Sequence, residues 1–241
     1  MKLAIMQPYF FPYLGYFDLI HSVDLFLVFD TVQFTKRGWI ARNRILHPGK
    51  SAWQYILAPI DQDSFHRSDQ TPILDVQIAA EMDWRGHLLG QLAHYRNKAP
   101  RAHETIDFVH GCLGSDEASI SRLDVELLHR CARLMNMDFN YRYCSALDIE
   151  LEAAADAEGR ILDLCQFLGA TEYVNLPGGV HLYDEQHFKH RNIKLTFRQL
   201  PTFQYATGAY EFVANLSIID ALMWNEPAAI KGYLDAHREA E

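Results

Sequence analysis

The sequence predicts an α/β protein: a mostly parallel sheet flanked by helices, with a helical lobe in the middle of the chain. Three observations predict this class. Short strand patterns alternate with helical patterns along the 241 residues, as in sheets that helices cover on both faces. Glycine, proline and polar turns separate these patterns. Between residues 84 and 136 only helical spacing occurs, and we expect this lobe to lie within a single domain of residues 1–241.

The first third of the chain begins with two buried strands. The mainly apolar run from Lys2 to Met6 is too short for a helix, so it predicts a strand that ends at Gln7. An aromatic, proline-rich loop follows, and helical spacing begins at Gly15. The run LFLVFD predicts the second strand, which ends in Asp30. Further strands at 44–46 and 53–58 and a mobile polar flap at 59–72 are expected before the lobe.

The rest of the chain alternates between helices and strands. Helical spacing in the lobe predicts three helices that end near Ala99, Gly114 and Met135, with Ser115-Asp116 as the cap of the third. After the lobe the order is strand, helix, strand, short helix, strand, aromatic loop and two closing helices, at 139–144, 158–168, 171–176, 184–190, 193–197, 201–211, 216–224 and 228–237. Such alternation is typical of a Rossmann-like sheet.

Composition limits the partners of the protein. The net charge of -9 argues against a general nucleic-acid or anionic-membrane surface, so we expect no nucleic acid as a partner. No apolar run approaches the length of a membrane span, and the N-terminus has no signal-peptide pattern. The four cysteines form no CxxC pair and lie in apolar stretches, which favours free buried thiols. These features predict a cytoplasmic protein.

The first candidate site is the strand, loop and helix at the start of the chain. In an open α/β sheet such a loop lies at the carboxyl end of the strand, and backbone N–H groups of the helix start point towards a ligand. Gln7, Tyr13 and Tyr16 add polar tips to this rigid aromatic loop, and we predict that they bind substrate together with Gly15. The alternative is a hydrophobic plug that packs the first helix on the sheet.

Residues 13–16 form a Y-x-G-Y sequence at the start of the predicted helix. It is similar in position to the H-x-G-H motif of the nucleotidyltransferase and class I synthetase superfamily. Gly15 keeps the close backbone approach, but a tyrosine can only donate a hydrogen bond to a phosphate and is not cationic near neutral pH. The similarity favours anion or nucleotide binding over adenylyl transfer, and a nucleotidyltransferase-like fold stays open.

The second candidate site follows the second predicted strand. Lys36, Trp39, Arg42 and Asn43 bring basic, aromatic and amide groups together directly after a strand end. Arginine is suited to bidentate recognition of phosphate or carboxylate, and lysine is a common phosphate contact. We therefore predict that these four residues bind substrate. The alternative is a solvated basic face.

The third candidate site lies in residues 176–184, where Gly178 and Gly179 follow a predicted strand. Paired glycines let backbone N–H groups face an anion, so both are predicted to bind substrate. His181 could act as an acid or base near neutral pH. The alternative is a turn that Asp184 closes as a helix cap.

Metal and covalent chemistry find little support in the sequence. His187 and His190 have chelating spacing, but no acid or cysteine completes a ligand set, so we predict no metal site. No P-loop and no GxSxG sequence occurs. The sequence leaves the cofactor unknown.

Four segments carry a resemblance to a known family. They read QPYFFPYLGYF near the start, DTVQFTKRGWIARNRI at 30–45, LGATEYVNLPGGVHLYD at 168–184 and LSIIDALMWNEP at 216–227. On these segments most of the chain resembles the WbqC-like protein family. That family is bacterial and often occurs in gene clusters for O-antigen, other surface polysaccharides or secondary metabolites. The resemblance implies a cytoplasmic protein that acts on sugar nucleotides or similar activated molecules, and it brings no established catalytic residues.

From the residues and the resemblance together we expect a transferase, with aminoacyl or acyl transfer to a sugar nucleotide in surface-polysaccharide biosynthesis as its reaction. The substrate is expected to be an anionic small molecule, either a sugar nucleotide or an activated acyl donor. Its phosphate would lie near Gly15, clamped by Lys36 and Arg42, with His181 as general base. The alternative is a non-catalytic binding or scaffold protein of a biosynthetic cluster. A homodimer is one assembly that the sequence allows.

Overall fold

A computed structural model describes residues 1–49, 52–64, 70–149 and 156–239. The strands are β1 (Lys2–Met6), β2 (Leu25–Val28), β3 (Arg42–Leu46), β4 (Trp53–Leu57), β5 (Tyr141–Tyr143), β6 (Glu172–Asn175) and β7 (Lys194–Phe197). The α-helices are α1 (Leu14–Ser22), α2 (Trp84–Leu92), α3 (Ala102–Cys112), α4 (Ile120–Leu134), α5 (Ala157–Phe167), α6 (Glu185–His190), α7 (Ile218–Trp224) and α8 (Pro227–Glu239). Within these described ranges, no helix is long and apolar enough to cross a membrane.

The main sheet contains five parallel strands in the order β5-β2-β1-β6-β7. Leu3 of β1 lies opposite Leu25 on one side and Tyr173 on the other. The chain builds the sheet outwards from β1 in one direction, through β2 and β5, and then in the other, through β6 and β7. The strand order therefore reverses between β1 and β6, which is the switch point of a doubly wound sheet. The predicted α/β class is confirmed.

Alternate residues of the central strands belong to different hydrophobic cores, because successive side chains of a strand point to opposite faces. Ala4, Phe26 and Val28 belong to the larger core, which also contains the apolar residues of α1 to α4. Leu3 and Leu27 belong to the smaller core, which α5 and the segment around Phe188 cover. Helices thus bury both faces of the sheet, as parallel sheets require.

Strands β3 and β4 form a separate antiparallel hairpin, in which Arg42 pairs with Leu57 and Leu46 pairs with Trp53. The sequence predicted these strands, but their pattern does not say which sheet they join. The hairpin lies against α2 and α7. It carries the residues of the second candidate site, from Trp39 to Asn43, towards the loop that follows β1.

The region between residues 84 and 134 contains α2, a 3-10 turn at 93–95, α3 and α4. The predicted cap of α4 is wrong, because Ser119 caps this helix, and its Oγ accepts a hydrogen bond from the backbone N–H of Arg122. The predicted flap at 59–72 lies partly outside the described residues, at 65–69. Two residues of its described part form isolated bridges: Ile60 pairs with Ile78, and Pro72 pairs with Gln33.

Candidate functional site

A cavity of about 630 Å³ lies at the carboxyl ends of β1 and β6, at the switch point of the sheet. Its walls come from three parts of the chain: the end of β1 with the loop that follows, the loop at 35–40, and residues 175–183 after β6. The N-terminus of α5 closes one side with Ala157. Ligands of open α/β sheets bind at this position, since the loops on its two sides diverge there and leave a crevice.

An aromatic wall, formed by Tyr9, Tyr13, Tyr16 and Trp39, borders the cavity. The ring of Tyr9 stacks on Trp39 with 6.0 Å between centroids and 25° between planes. The same ring meets Tyr16 edge-on at 5.5 Å and lies 6.3 Å from Tyr13. Trp39 remains 38% exposed, so the wall reaches the surface. Such a wall offers flat apolar area to a planar ligand.

The tyrosines of the aromatic wall are hydrogen-bond donors and poor bases. The Tyr16 hydroxyl donates to the carbonyl of Gln7 at 2.5 Å, which ties α1 to the end of β1. Burial raises the pKa of Tyr16 well above its ordinary value, and the nearby Asp124 carboxyl raises it further. Burial likewise raises the pKa values of Tyr9 and Tyr13. These hydroxyl groups therefore keep their protons near neutral pH.

The opposite wall is formed by residues 175–179. Asn175 donates from Nδ2 to the Tyr173 hydroxyl at 3.1 Å and accepts from the Leu176 N–H at 2.7 Å. Gly179 is buried, and a Cβ atom there would lie 2.9 Å from Nδ2 of Asn175, so close packing requires glycine. A Cβ at Gly178 would meet no atom within 4 Å, and this residue faces the cavity with free space around it.

Tyr9, Asn175 and Tyr183 are among the lining residues that the predicted site did not include. Asn175 is the last residue of β6, and Tyr183 follows the glycine pair. A polar residue at the end of a buried strand is a signal that could have identified Asn175, since such a position faces the ligand edge of a parallel sheet.

Arg42 shapes the site from outside the cavity. Its Nε donates to the Gly38 carbonyl at 3.2 Å, and its Nη2 donates to the Arg37 carbonyl. The guanidinium group also lies 4.5 Å from the centroid of Tyr55 and 5.7 Å from that of Trp39. Arg42 therefore holds the loop that presents Trp39 to the cavity. Lys36 is exposed, and its Nζ donates to Oε1 of Gln62 at 2.9 Å.

Asn43 is fully buried and holds the aromatic loop after β1. Its Nδ2 donates to the carbonyls of Phe10 at 3.2 Å and Phe11 at 2.5 Å, and its Oδ1 accepts from the Arg44 N–H at 2.8 Å. Phe11 has a positive φ of 39°, which is rare for a bulky residue and needs such support. The Ser217 hydroxyl also donates to the Phe11 carbonyl, at 2.7 Å.

Gly15 and His181 lie beside the cavity and do not line it. A Cβ atom on Gly15 would lie 2.5 Å from Cε2 of Tyr13, so glycine makes room for that ring. His181 is exposed on the 3-10 turn at Pro177–Leu182, and its side chain makes no hydrogen bond to another described residue. The predicted site residues that do line the cavity are Gln7, Tyr13, Tyr16, Trp39, Gly178 and Gly179.

The cavity is uncharged. Among the described residues, neither acids nor Lys, Arg or His line it. The described residues contain no group of three or more His, Cys, Asp or Glu side chains that could hold a metal ion. The exposed His187 lies beside Glu158, with Nδ1 2.7 Å from Oε2, and this carboxylate raises the pKa of His187. The groups that line the cavity are therefore aromatic rings, hydroxyl groups, amides, apolar side chains and backbone.

The sheet and the position of the cavity define a doubly wound α/β protein with a cavity at the switch point. The chain belongs to the WbqC-like protein family, whose model matches residues 7–232. It is similar to the Uncharacterized protein Rv1507c of Mycobacterium tuberculosis (strain ATCC 25618 / H37Rv). The two are 30% identical over 236 residues, which are 97% of each chain. No solved structure matches the sequence.

Proposed function

We propose that this protein binds a nucleotide-activated small molecule in the cavity at the switch point and acts on it as a cytoplasmic transferase. The stacked pair of Tyr9 and Trp39 at the carboxyl edge of β1 is the observation that supports this proposal. A nucleobase or another planar group can stack on these rings, an interaction worth about 1–3 kcal/mol per base.

In this proposal the phosphate groups bind to backbone N–H groups. Gly178 lines this cavity, and its backbone is accessible because a Cβ atom there would meet no atom within 4 Å. The sequence predicts that Lys36 and Arg42 clamp the phosphate. In the free protein Lys36 binds Gln62, and Arg42 binds the carbonyls of the loop before Trp39. Backbone donors therefore suit the phosphates better.

The proposed reaction is aminoacyl or acyl transfer to a sugar nucleotide in surface-polysaccharide biosynthesis, as the resemblance to the family implies. The Tyr9 and Tyr13 hydroxyls would donate hydrogen bonds to an oxygen that gains negative charge during transfer. His181 stays our candidate base because it lies between Gly179 and Leu182, which both line the cavity.

A non-catalytic binding protein of a biosynthetic cluster is the second candidate function. One observation favours it: the described lining of the cavity contains no acid or base that titrates near neutral pH. Such a protein would hold an activated intermediate without converting it.

Thermal unfolding in the presence of ligands tests the proposal. Sugar nucleotides, ATP, coenzyme A and acyl donors are added separately to the protein, to Trp39→Ala and to Trp53→Ala. A ligand at about 100 times its Kd should stabilise the protein by about 2.7 kcal/mol. Trp39→Ala should lose the effect because its ring lines the cavity. Trp53→Ala is the control, since Trp53 lies on the hairpin that follows Trp39, packs on Tyr55 and does not line the cavity.

Two outcomes decide between the functions. Stabilisation by a sugar nucleotide, together with turnover that His181→Ala removes, would support the transferase. Stabilisation without turnover of any acyl donor would support the binding protein. If none of these ligands stabilises the protein, or Trp39→Ala retains the whole effect, the proposed site is wrong.

A further inference from the structure

A second cavity, of about 320 Å³, adjoins the first one. Tyr13, Leu176 and Gly178 line both cavities and form the partition between them. We propose that this second cavity is a binding subsite for a separate, uncharged molecule that carries hydroxyl groups. The assignment of that molecule as the second substrate rests on the proposed function, but the binding site itself does not.

Gly15 allows the ring of Tyr13 to lie in the partition. The Cβ atom of any larger residue at position 15 would lie 2.5 Å from Cε2 of this ring, so the ring needs a glycine there. Tyr13 is only partly buried, and burial raises the pKa of its hydroxyl, which therefore keeps its proton. The partition thus presents an aromatic ring and an O–H donor at the boundary between the cavities.

The outer wall of the second cavity is an aromatic cluster. Tyr205 lies 5.5 Å from Phe203 and meets Phe212 edge-on at 5.2 Å. The Tyr205 hydroxyl donates to Oδ2 of the buried Asp220 at 2.7 Å, and this bond fixes the orientation of the ring. The wall is therefore held in place from within the core, and it offers ring faces to the apolar side of a ligand.

Electrostatics favour a neutral ligand. Arg198 is the one charged residue among the described lining, and its side chain is only 2% exposed. It binds both oxygens of the buried Asp18, at 2.6 and 2.9 Å, so its charge is already compensated. An anion in this cavity would have to compete with the Asp18 carboxylate. This arrangement therefore disfavours phosphate and carboxylate ligands.

The polar groups at the mouth match hydroxyl groups. Gln199 and Asn215 are exposed lining residues, and each amide can both donate and accept a hydrogen bond. A hydroxyl group also does both, whereas an anion only accepts. The volume lies at the lower end of the roughly 300–1,000 Å³ that small-molecule sites occupy, which suits a single polyol ring.

Titration with myo-inositol tests this assignment, because this molecule is an uncharged ring of hydroxyl-bearing carbons. Binding is measured by NMR from the backbone amide signals of the 15N-labelled protein. Signals of residues 198–216 should shift, and inorganic phosphate should leave them unchanged. The double variant Gln199→Ala/Asn215→Gly should raise the Kd about tenfold, because two hydrogen-bonding groups are lost. Glycine suits position 215, where φ is +58°.

Asn192→Gly is the matched control, since Asn192 is also exposed with a positive φ, of 56°, and lines neither cavity. The Kd of this variant should equal that of the unchanged protein. The assignment is overturned if myo-inositol shifts no signal in 198–216, if phosphate shifts the same signals, or if the double variant keeps its affinity. Binding of myo-inositol without any response to nucleotides would support the subsite and contradict the proposed function of the first cavity.

Discussion

Three residues of the candidate sites act through their neighbours. Asn43 binds the backbone of the aromatic loop, Arg42 binds the backbone of the loop before Trp39, and Gly15 makes room for the Tyr13 ring. Each of them positions groups that line a cavity. Asn43 and Arg42 line neither cavity, so an amide or a guanidinium group in a motif can be required for the shape of a site that it does not line.

Gly15→Ala should lower the stability of the protein, because the new methyl group meets the Tyr13 ring at 2.5 Å and the ring has to move. Overpacking of this kind costs about 1–3 kcal/mol. Urea denaturation measures the effect. Gly90→Ala in α2 is the control, since a Cβ there meets no atom within 4 Å. That variant should gain up to about 1 kcal/mol of helix propensity. Equal gains in both variants would contradict the assigned role of Gly15.

At the scale of elements, the β3–β4 hairpin supports one wall of the first cavity. The side chains of Arg42 and Arg44 point to the same face of β3, where they pack against aromatic rings. The Arg44 guanidinium group lies 5.2 Å from the ring centroid of Trp39 and 5.1 Å from that of Trp53. Only Arg42 also binds the carbonyls of the loop at 37–38. The hairpin and this loop therefore form one unit that places Trp39.

Arg42→Lys should loosen the loop at 37–38, because lysine cannot make the two directed bonds of the guanidinium group. Limited trypsin digestion with mass spectrometry measures this as faster cleavage after Arg37, since proteolysis reports local opening. Arg44→Lys is the control: it changes the neighbouring cation on the same strand and leaves the bonds to the loop intact. Equal cleavage rates in the two variants would show that Arg42 does not hold the loop.

At the scale of the whole molecule, a polar network joins the helical region to the C-terminal segment. His94 binds the Tyr210 hydroxyl through Nδ1 at 2.8 Å, and its ring packs on Tyr95 at 4.1 Å. The Tyr95 hydroxyl donates to Asp220 of α7. Burial, together with the charge of Lys98, lowers the pKa of His94 from 6.5 to about 4. The folded protein therefore holds this histidine neutral.

Stability should fall as the pH is lowered from about 6.5 to about 4. Between these values the unfolded chain takes up a proton on His94 that the folded protein does not bind, so protonation favours unfolding. His94→Gln should show a smaller decrease of the urea midpoint over this range. His103→Gln, which changes an exposed histidine of α3, is the control. If His94→Gln and the unchanged protein have parallel pH profiles, His94 does not contribute to the pH dependence.

Local patterns along the chain were enough to predict the fold class and the segments that could carry a site. Alternating patterns report which residues of an element are buried, so β1, β2, β6 and most helices were predicted close to their observed bounds. Polar and aromatic residues directly after strand ends pointed to residues 7–16, 36–43 and 178–181. All three segments lie near the switch point, because the carboxyl ends of parallel strands share one edge of the sheet.

Packing between distant segments sets which of their side chains face a cavity. The neighbours of Asn43 and the position of β6 beside β1 depend on contacts between residues far apart in the chain. Local periodicity contains no information on such pairing. The neutral lining and the second cavity behind Tyr13 have the same origin, since they arise where segments around residues 13, 176 and 198–216 meet. Burial patterns are a local property of the chain, whereas the composition of a site is set by packing.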